Sequence, residues 1–184
     1  MHSFMLQTMI PLVLPVRAQS SMCQFLKGLK DKGVNFDFYF VGRKSDAEPW
    51  RYDNCVKFCV ENGLKNCVHF LGARADVPQI LKHMDAFLYA TDHDTFGIAV
   101  IEAVAAGLPT FVNDWEVMTE VVQNGKLATL YKTNDTEDFC EKFMDFVANV
   151  DSYKKQAEIN ASLVRNIYSI ESHIERLNEL YKSL

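Results

Sequence analysis

Short apolar runs alternate with amphipathic stretches along most of this chain. The apolar runs are rich in aromatic and β-branched residues, as in residues 35–41, and this composition is typical of strands. Glycines and prolines lie between the runs and mark turns. The pattern predicts strands over residues 12–16, 35–41, 68–71, 86–90, 110–113 and 128–131.

Apolar residues recur at helical spacing between these strands. In residues 22–30 they occupy one face of the predicted helix, and Ser20 or Ser21 can cap its start. Further helices are predicted over residues 49–62, 76–84, 98–106 and 116–123. From residue 136 to residue 184 the pattern is helical throughout, with breaks expected near Asp151 and Ser169.

Alternating strands and helices predict βαβ units and hence an α/β fold. Right-handed crossovers give a doubly wound, mostly parallel Rossmann-like sheet, with helices on both faces and a helical C-terminal tail over residues 151–184. Residues 1–184 are predicted to form one domain. Ligands of such sheets bind at the carboxyl ends of the strands.

Composition changes this picture little. The hydrophobic content of 48% and the charged content of 23% are ordinary for a globular protein. A formal net charge of -5 argues against a nucleic-acid binder, which usually carries a basic patch. The apolar run over residues 9–16 contains two prolines and lacks a basic flank, so we expect no signal peptide and a cytoplasmic location.

The cysteine pattern predicts free thiols. Five cysteines form an odd set without the spacing of a disulfide framework. Cys55 and Cys59 lie one helical turn apart, but no further Cys or His stands at zinc-ligand spacing. We therefore expect free, buried thiols in a reducing compartment and no metal site.

Residues 92–109 carry the most informative chemistry. Asp94 and Glu102 bracket a Phe-Gly turn, with seven residues between them, and an Ala-rich helix follows the turn. Carboxylates can accept from sugar hydroxyls, and the amides of Phe96, Gly97 and Ile98 can donate to anionic oxygens. Glu102 lies in an apolar stretch, where burial is costly without hydrogen bonds. The alternatives are a solvent-facing Glu102 and a helix-capping Asp94.

Other motifs in the chain are weaker. Asp92, His93 and Asp94 also form an Asp-x-Asp pattern, which can bind a divalent metal ion, but nothing else in the sequence supplies a cation site. His93 could act as a general base or simply be a loop residue. Neither G-x-G-x-x-G nor a P-loop pattern occurs in the first loop, which disfavours dinucleotide and P-loop binding.

The stretch from Asp94 to Pro109 resembles the acidic signature of group 1 (family 4) glycosyltransferases. That signature runs Glu, seven residues, Glu-Ala, small residues, Gly and Pro, and this chain departs from it with Asp94 at the first acid. The resemblance covers roughly residues 12 to 150. It implies the C-terminal, donor-binding domain of a GT-B enzyme, with the N-terminal acceptor-binding domain absent.

The resemblance also implies roles for individual residues. The candidate catalytic residues are Asp94 at the donor sugar, Glu102 at the ribose and Arg17 at the diphosphate. The Phe96, Gly97 and Ile98 amides would join Arg17 at the diphosphate, while Ala73 and Arg74 would lie at the base. Met22 stands where the family carries a second phosphate-binding lysine, and Lys44 could substitute for it.

Two functions follow from these residues. The first is metal-independent, retaining transfer from a UDP- or GDP-sugar to a glycan or lipid-linked acceptor, as in polysaccharide biosynthesis, with no other cofactor. Turnover would need the N-terminal domain, through which peripheral membrane association could also occur. The alternative is a non-catalytic nucleotide-sugar-binding, regulatory or scaffolding subunit of the same fold, which Met22 and Asp94 favour.

Overall fold

The computed structural model describes residues 6–11 and 19–183. Within those residues the strands form one six-stranded sheet in the order β3-β2-β1-β4-β5-β6, and every paired neighbour is parallel. The strands are β1 (Leu6–Pro11), β2 (Phe36–Val41), β3 (Val68–Gly72), β4 (Phe87–Tyr89), β5 (Thr110–Asn113) and β6 (Thr129–Tyr131).

Helices follow the strands as the alternation predicts. Prolines in the first turns of α2 and α3 fit there because the first amides of a helix have no intrahelical partner. The helices are α1 (Gln19–Asp31), α2 (Pro49–Glu61), α3 (Val77–Leu81), α4 (Ile98–Ala105), α5 (Glu116–Val121), α6 (Thr136–Ala148), α7 (Val150–Ile167) and α8 (Ile170–Ser183).

The sheet separates two hydrophobic layers. Phe36, Phe38 and Phe40 face the layer formed with α1, α2 and α6, whereas Val41, Phe87 and Val112 belong to the layer formed with α4, α5 and α7. Side chains alternate between the faces of a strand, so each buried strand contributes to both layers. Helices on both faces of a parallel sheet confirm the predicted doubly wound α/β architecture.

The first strand differs from the predicted element, whereas the C-terminal helices break close to the predicted positions. The predicted strand over residues 12–16 lies outside the described residues, and β1 is Leu6–Pro11, six residues earlier at its start. The breaks in the C-terminal helices are at Asn149 and at Tyr168–Ser169, close to the positions predicted near Asp151 and Ser169. The Asn149 side chain bonds back to Asp145 at the first of them.

The prediction of free thiols is wrong for two cysteines. Cys23 on α1 is disulfide-bonded to Cys55 on α2, with 6.4 Å between the Cα atoms, while Cys59, Cys67 and Cys140 are free. The two helices pack side by side on one sheet face, which brings these residues within disulfide range.

The C-terminal helix α8 buries none of its residues. Its apolar side chains Ile170, Ile174 and Tyr181 are all more than half exposed. None of the helices in the described part of the chain is both long enough and apolar enough to cross a membrane.

Candidate functional site

The strand order places a crevice beside the β4–α4 connection. The chain runs outward from β1 to β3 on one side of the sheet and from β4 to β6 on the other. In open α/β sheets this change of direction opens a crevice at the carboxyl ends of the strands. The residues that follow β4 line this edge. Arg17, in the connection after β1, lies outside the described residues and stays a prediction.

The buried side-chain amide of Asn113 joins the loop between β4 and α4 to the neighbouring strands. Asn113, at the end of β5, is 2% exposed. Its Oδ1 accepts from the Thr91 amide at 2.9 Å, and its Nδ2 donates to the Thr91 carbonyl at 2.7 Å and to Thr133 Oγ1 at 2.8 Å. Thr91 Oγ1 in turn accepts from the amides of His93 and Asp94. The loop is therefore held by hydrogen bonds from its first residue onward.

Asp94 uses its carboxylate inside this loop. Its Oδ1 accepts from the Phe96 and Gly97 amides at 2.9 Å each, and its Oδ2 accepts from the Tyr89 hydroxyl. Burial alone would raise the pKa of Asp94, but these hydrogen bonds outweigh it and hold the pKa below its ordinary 3.8. Burial, reinforced by Asp94, raises the pKa of Tyr89, so its hydroxyl stays a donor. Two of the three predicted phosphate-binding amides thus already have an acceptor.

Gly97 forms the entry to α4 in a left-handed conformation. Its φ is +71°, and a Cβ at this position would lie 2.8 Å from both Sδ and Cε of Met118. Both the left-handed turn and the proximity of Met118 on α5 therefore favour glycine at this position. Phe96 beside it is 47% exposed and packs edge-on against Tyr168, and Ile98 is 64% exposed.

Glu102 lies on the exposed face of α4. Ala99, Val100, Ala103 and Val104 are buried, and Glu102 projects from the same side of the helix as Ile98, one turn earlier. Of the two alternatives weighed from the sequence, the structure shows the solvent-facing Glu102 rather than a buried carboxylate, because α4 packs on α7 and β5 through its other faces. Among the described residues no side-chain hydrogen bond involves the Glu102 carboxylate, which leaves its oxygens available to hydroxyl donors.

Neither Met22, at the position of the expected lysine, nor Lys44, its possible substitute, supplies an unpaired positive charge. Met22, at the expected lysine position, is 3% exposed and belongs to the α1–α2 core layer. Lys44 pairs with Asp53 at 2.7 Å and lies over the Tyr52 ring. Lys44, the substitute considered for the missing lysine, is therefore already paired with a carboxylate.

Ala73 and Arg74 follow β3 at the same sheet edge and are exposed. The Arg74 guanidinium donates to both Asp76 carboxylate oxygens, at 2.8 and 2.6 Å. The hydrogen bond from Arg74 lowers the pKa of Asp76. This pairing engages the Arg74 guanidinium at the exposed surface of the β3–α3 loop.

The Asp-x-Asp interpretation gains no support from the structure. His93 is exposed and Asp92 is half-buried. Within residues 6–11 and 19–183 this loop does not bring three potential ligand side chains together, whereas three cysteines elsewhere do meet. The Asp94 carboxylate is engaged in the turn and is poorly placed to hold a cation as well.

Comparison with known proteins identifies the family. Residues 13–162 match the family model of glycosyl transferases group 1, which covers the strands after β1, the β4–α4 loop and most of α7. This chain belongs to that family. It is 32% identical over 114 residues to the N,N'-diacetylbacillosaminyl-diphospho-undecaprenol alpha-1,3-N-acetylgalactosaminyltransferase of Campylobacter jejuni, a match covering 62% of this chain and 28% of that relative.

Solved structures share the fold at low identity. Anabaena HepE, crystallised with UDP and glucose, aligns with a TM-score of 0.83 at 18% identity over 97% of this chain and 49% of its own. The C-terminal domain of a glycosyl transferase group 1 protein from Francisella tularensis aligns with a TM-score of 0.78 at 15% identity, covering 90% of this chain and 87% of that domain. The chain thus spans about half the length of HepE and most of the isolated domain.

Three residues that sequence reasoning missed shape this glycosyltransferase domain's β4–α4 loop. Asn113 anchors Thr91, Tyr89 bonds Asp94, and the Tyr131 hydroxyl donates to the Tyr89 carbonyl at 2.6 Å. All three are the last residues of their strands, β5, β4 and β6 respectively. A polar side chain at the last position of a buried strand is the signal that could have pointed to them.

Replacing Asp94 by asparagine should destabilise the domain by about 1–3 kcal/mol at pH 7, because the carboxylate's charge-assisted hydrogen bonds are lost. The folded-state pKa of Asp94 is lowered, so its stabilisation is present above about pH 4 and disappears as the pH falls through that pKa. Urea unfolding at several pH values should show the wild-type advantage shrinking below pH 4. Asp92→Asn in the same loop is the control, and a pH-independent difference would contradict the assignment.

Proposed function

We propose that residues 1–184 form the donor-binding, C-terminal-type domain of a metal-independent retaining glycosyltransferase that binds a nucleotide-diphosphate sugar. The supporting observation is the exposed Glu102 carboxylate on α4, at the carboxyl edge of the sheet and within the family's acidic signature. Ribose hydroxyls would donate to Glu102, and the Ile98 amide at the start of α4 and Arg17 would contact the diphosphate. The backbone around Ala73 would lie near the base.

Asp94 enters this proposal mainly as the residue that shapes the turn. Its carboxylate holds the Phe96 and Gly97 amides and the Tyr89 hydroxyl, so it fixes the start of α4 below the donor. A direct hydrogen bond from the donor sugar would compete with one of these partners. The sugar contact predicted from the sequence is therefore expected to be weaker than the Glu102 contact.

The reaction would transfer the sugar to a glycan or lipid-linked acceptor as the nucleoside diphosphate leaves. Stabilisation of that leaving group by helix-start amides and Arg17 would supply the main electrostatic effect. The Campylobacter relative is named for a diphospho-undecaprenol acceptor, which supports a lipid-linked acceptor for this chain too. Turnover would need a second, acceptor-binding domain, which would also carry any contact with a membrane.

A non-catalytic, regulatory role is the second candidate, and the burial of Met22 favours it. A lysine-sized cation cannot act from a position that is 3% exposed in an apolar layer. Under this alternative the domain would still bind a nucleotide sugar but would lack part of the charge that stabilises a departing diphosphate.

Nucleotide binding is tested by thermal and urea unfolding with UDP, GDP and their sugars. A ligand at a hundredfold excess over its Kd should raise the free energy of unfolding by about 2.7 kcal/mol. Glu102→Ala should remove most of that increase while leaving the stability without ligand nearly unchanged, since the side chain is exposed. Glu141→Ala, an exposed glutamate on α6, is the matched control.

Each result of this experiment decides a different point. No stabilisation of the wild type by any of these nucleotides would overturn donor binding. Stabilisation that persists in Glu102→Ala would retain donor binding and overturn the role of Glu102. Binding without turnover, after addition of an acceptor-binding domain from a relative, would favour the regulatory alternative.

A further inference from the structure

Three buried cysteines meet between α1 and α2, on the sheet face opposite the α4 layer. The Sγ atoms of Cys23, Cys55 and Cys59 all lie within 4.8 Å of one another. Their exposed fractions are 1%, 4% and 2%. Cys55 and Cys59 are the residues of α2 that are fully buried, so α2 packs on α1 largely through sulfur.

The position of Cys59 beside the disulfide suits a metal ion once the disulfide is reduced. A zinc–sulfur bond is about 2.3 Å long, so three thiolates around one ion in a plane are separated by about 4.0 Å. Cys59 Sγ lies within 4.8 Å of both sulfurs of the Cys23–Cys55 disulfide. Reduction leaves Cys23 and Cys55 unbonded, so their two thiolates can separate to the spacing that the ion needs.

The donor set selects the kind of ion. All three ligand atoms are sulfur, and soft thiolates favour thiophilic cations such as Zn²⁺, Cd²⁺ and Cu⁺ over Mg²⁺ or Ca²⁺. The remaining cysteines do not join the set within the described residues. Cys67 donates its thiol to the Leu64 carbonyl, and Cys140 lies on α6 beside Gly28 and Thr136.

We propose that the reduced chain binds one thiophilic cation through Cys23, Cys55 and Cys59. The disulfide joining Cys23 to Cys55 is the oxidised form of the same cluster. A dithiol reductant would transfer two electrons to it, giving two thiols and the reductant's own disulfide. One divalent cation then displaces three thiol protons and forms three metal–sulfur bonds, which leaves one net negative charge on the centre.

One consequence distinguishes this site from ordinary buried thiols. The bound cation would occupy both sulfurs of the disulfide, and metal loading should therefore protect Cys23 and Cys55 from oxidation.

The test is an anaerobic Cd²⁺ titration of the full chain after reduction by a dithiol and removal of the reductant. Ultraviolet thiolate-to-cadmium charge-transfer absorption should saturate at one Cd²⁺ per chain. Cys59→Ala should weaken binding at least tenfold, whereas Cys140→Ala, which removes an equally buried thiol, should leave it unchanged. Cys59→Ala can still form the disulfide on oxidation, which verifies that α1 and α2 remain packed.

The proposal fails if the reduced wild type shows no charge-transfer band. It fails also if Cys59→Ala binds Cd²⁺ as tightly as the wild type, because two thiols would then suffice. Equal losses in Cys59→Ala and Cys140→Ala would likewise overturn it, since the effect would come from the core rather than the cluster. None of these outcomes depends on nucleotide binding, so the two proposals are tested separately.

Discussion

Alanine at Gly97 should lower the free energy of unfolding by about 2–5 kcal/mol and weaken nucleotide binding. The left-handed backbone at φ +71° costs an alanine about 1–2 kcal/mol. The new methyl group would also meet Met118 Sδ and Cε at 2.8 Å, so Met118 must move within a packed layer, at a further cost of about 1–3 kcal/mol. Urea unfolding of the purified domain measures the sum.

Gly107→Ala is the matched control for this prediction. Gly107 ends the α4 segment with φ +81°, but nothing lies within 4 Å of the position of its Cβ. Gly107→Ala should therefore lower the free energy of unfolding only by the cost of the left-handed backbone. Met118→Ala combined with Gly97→Ala should cost less than the two single changes added together, because the clash is removed. Equal losses at the two glycines would show that contact with Met118 contributes nothing.

Phe139→Ala should cost about 3–5 kcal/mol, the range typical of deleting a fully buried phenylalanine. Phe139 on α6 is 0% exposed, stacks on Phe25 at 4.7 Å and meets the Tyr131 ring edge-on at 5.1 Å. Denaturant unfolding should show a lower midpoint without a large change in slope. The Tyr131 hydroxyl donates to the Tyr89 carbonyl, so the same cavity should also weaken nucleotide binding.

The control for Phe139 comes from the same helix. Met144 on α6 is 37% exposed, and Met144→Ala should change stability by less than about 1 kcal/mol. If Phe139→Ala lowered the free energy of unfolding no more than Met144→Ala, the hydrophobic layer formed with α1, α2 and α6 would have to fill the cavity without losing stability. Loss of nucleotide binding in Met144→Ala would contradict the link through Tyr131.

Strands in the middle of the chain could be predicted closely, and the first strand could not. Residues 110–113 were predicted as a strand and form β5 with the same bounds, because Pro109 and the polar residues after Asn113 delimit a short apolar run. The first apolar run, over residues 9–16, has no internal periodicity that indicates where a strand begins. Its pairing is decided by contacts with β2 and β4, which lie far away in sequence.

In the candidate site, too, some features could be predicted from the sequence and others could not. The motif located Asp94 and Glu102 on either side of a turn, but not the directions of their side chains. Asp94 turns inward because Tyr89 and the turn amides surround it. Because α4 is apolar on nearly every side, its helical periodicity does not indicate which face is buried. That face is decided by packing against α7, which leaves Glu102 on the opposite, exposed side.

The position of β1 has a consequence for synthesis of the chain on the ribosome. Among the strands of this sheet β1 is the first to be made, yet it lies in the middle of the sheet between β2 and β4. One edge can pair as soon as Phe36–Val41 has emerged, whereas the other must wait for Phe87–Tyr89. During that interval the nascent domain presents an open apolar strand edge, the kind of surface that chaperones bind and that promotes aggregation.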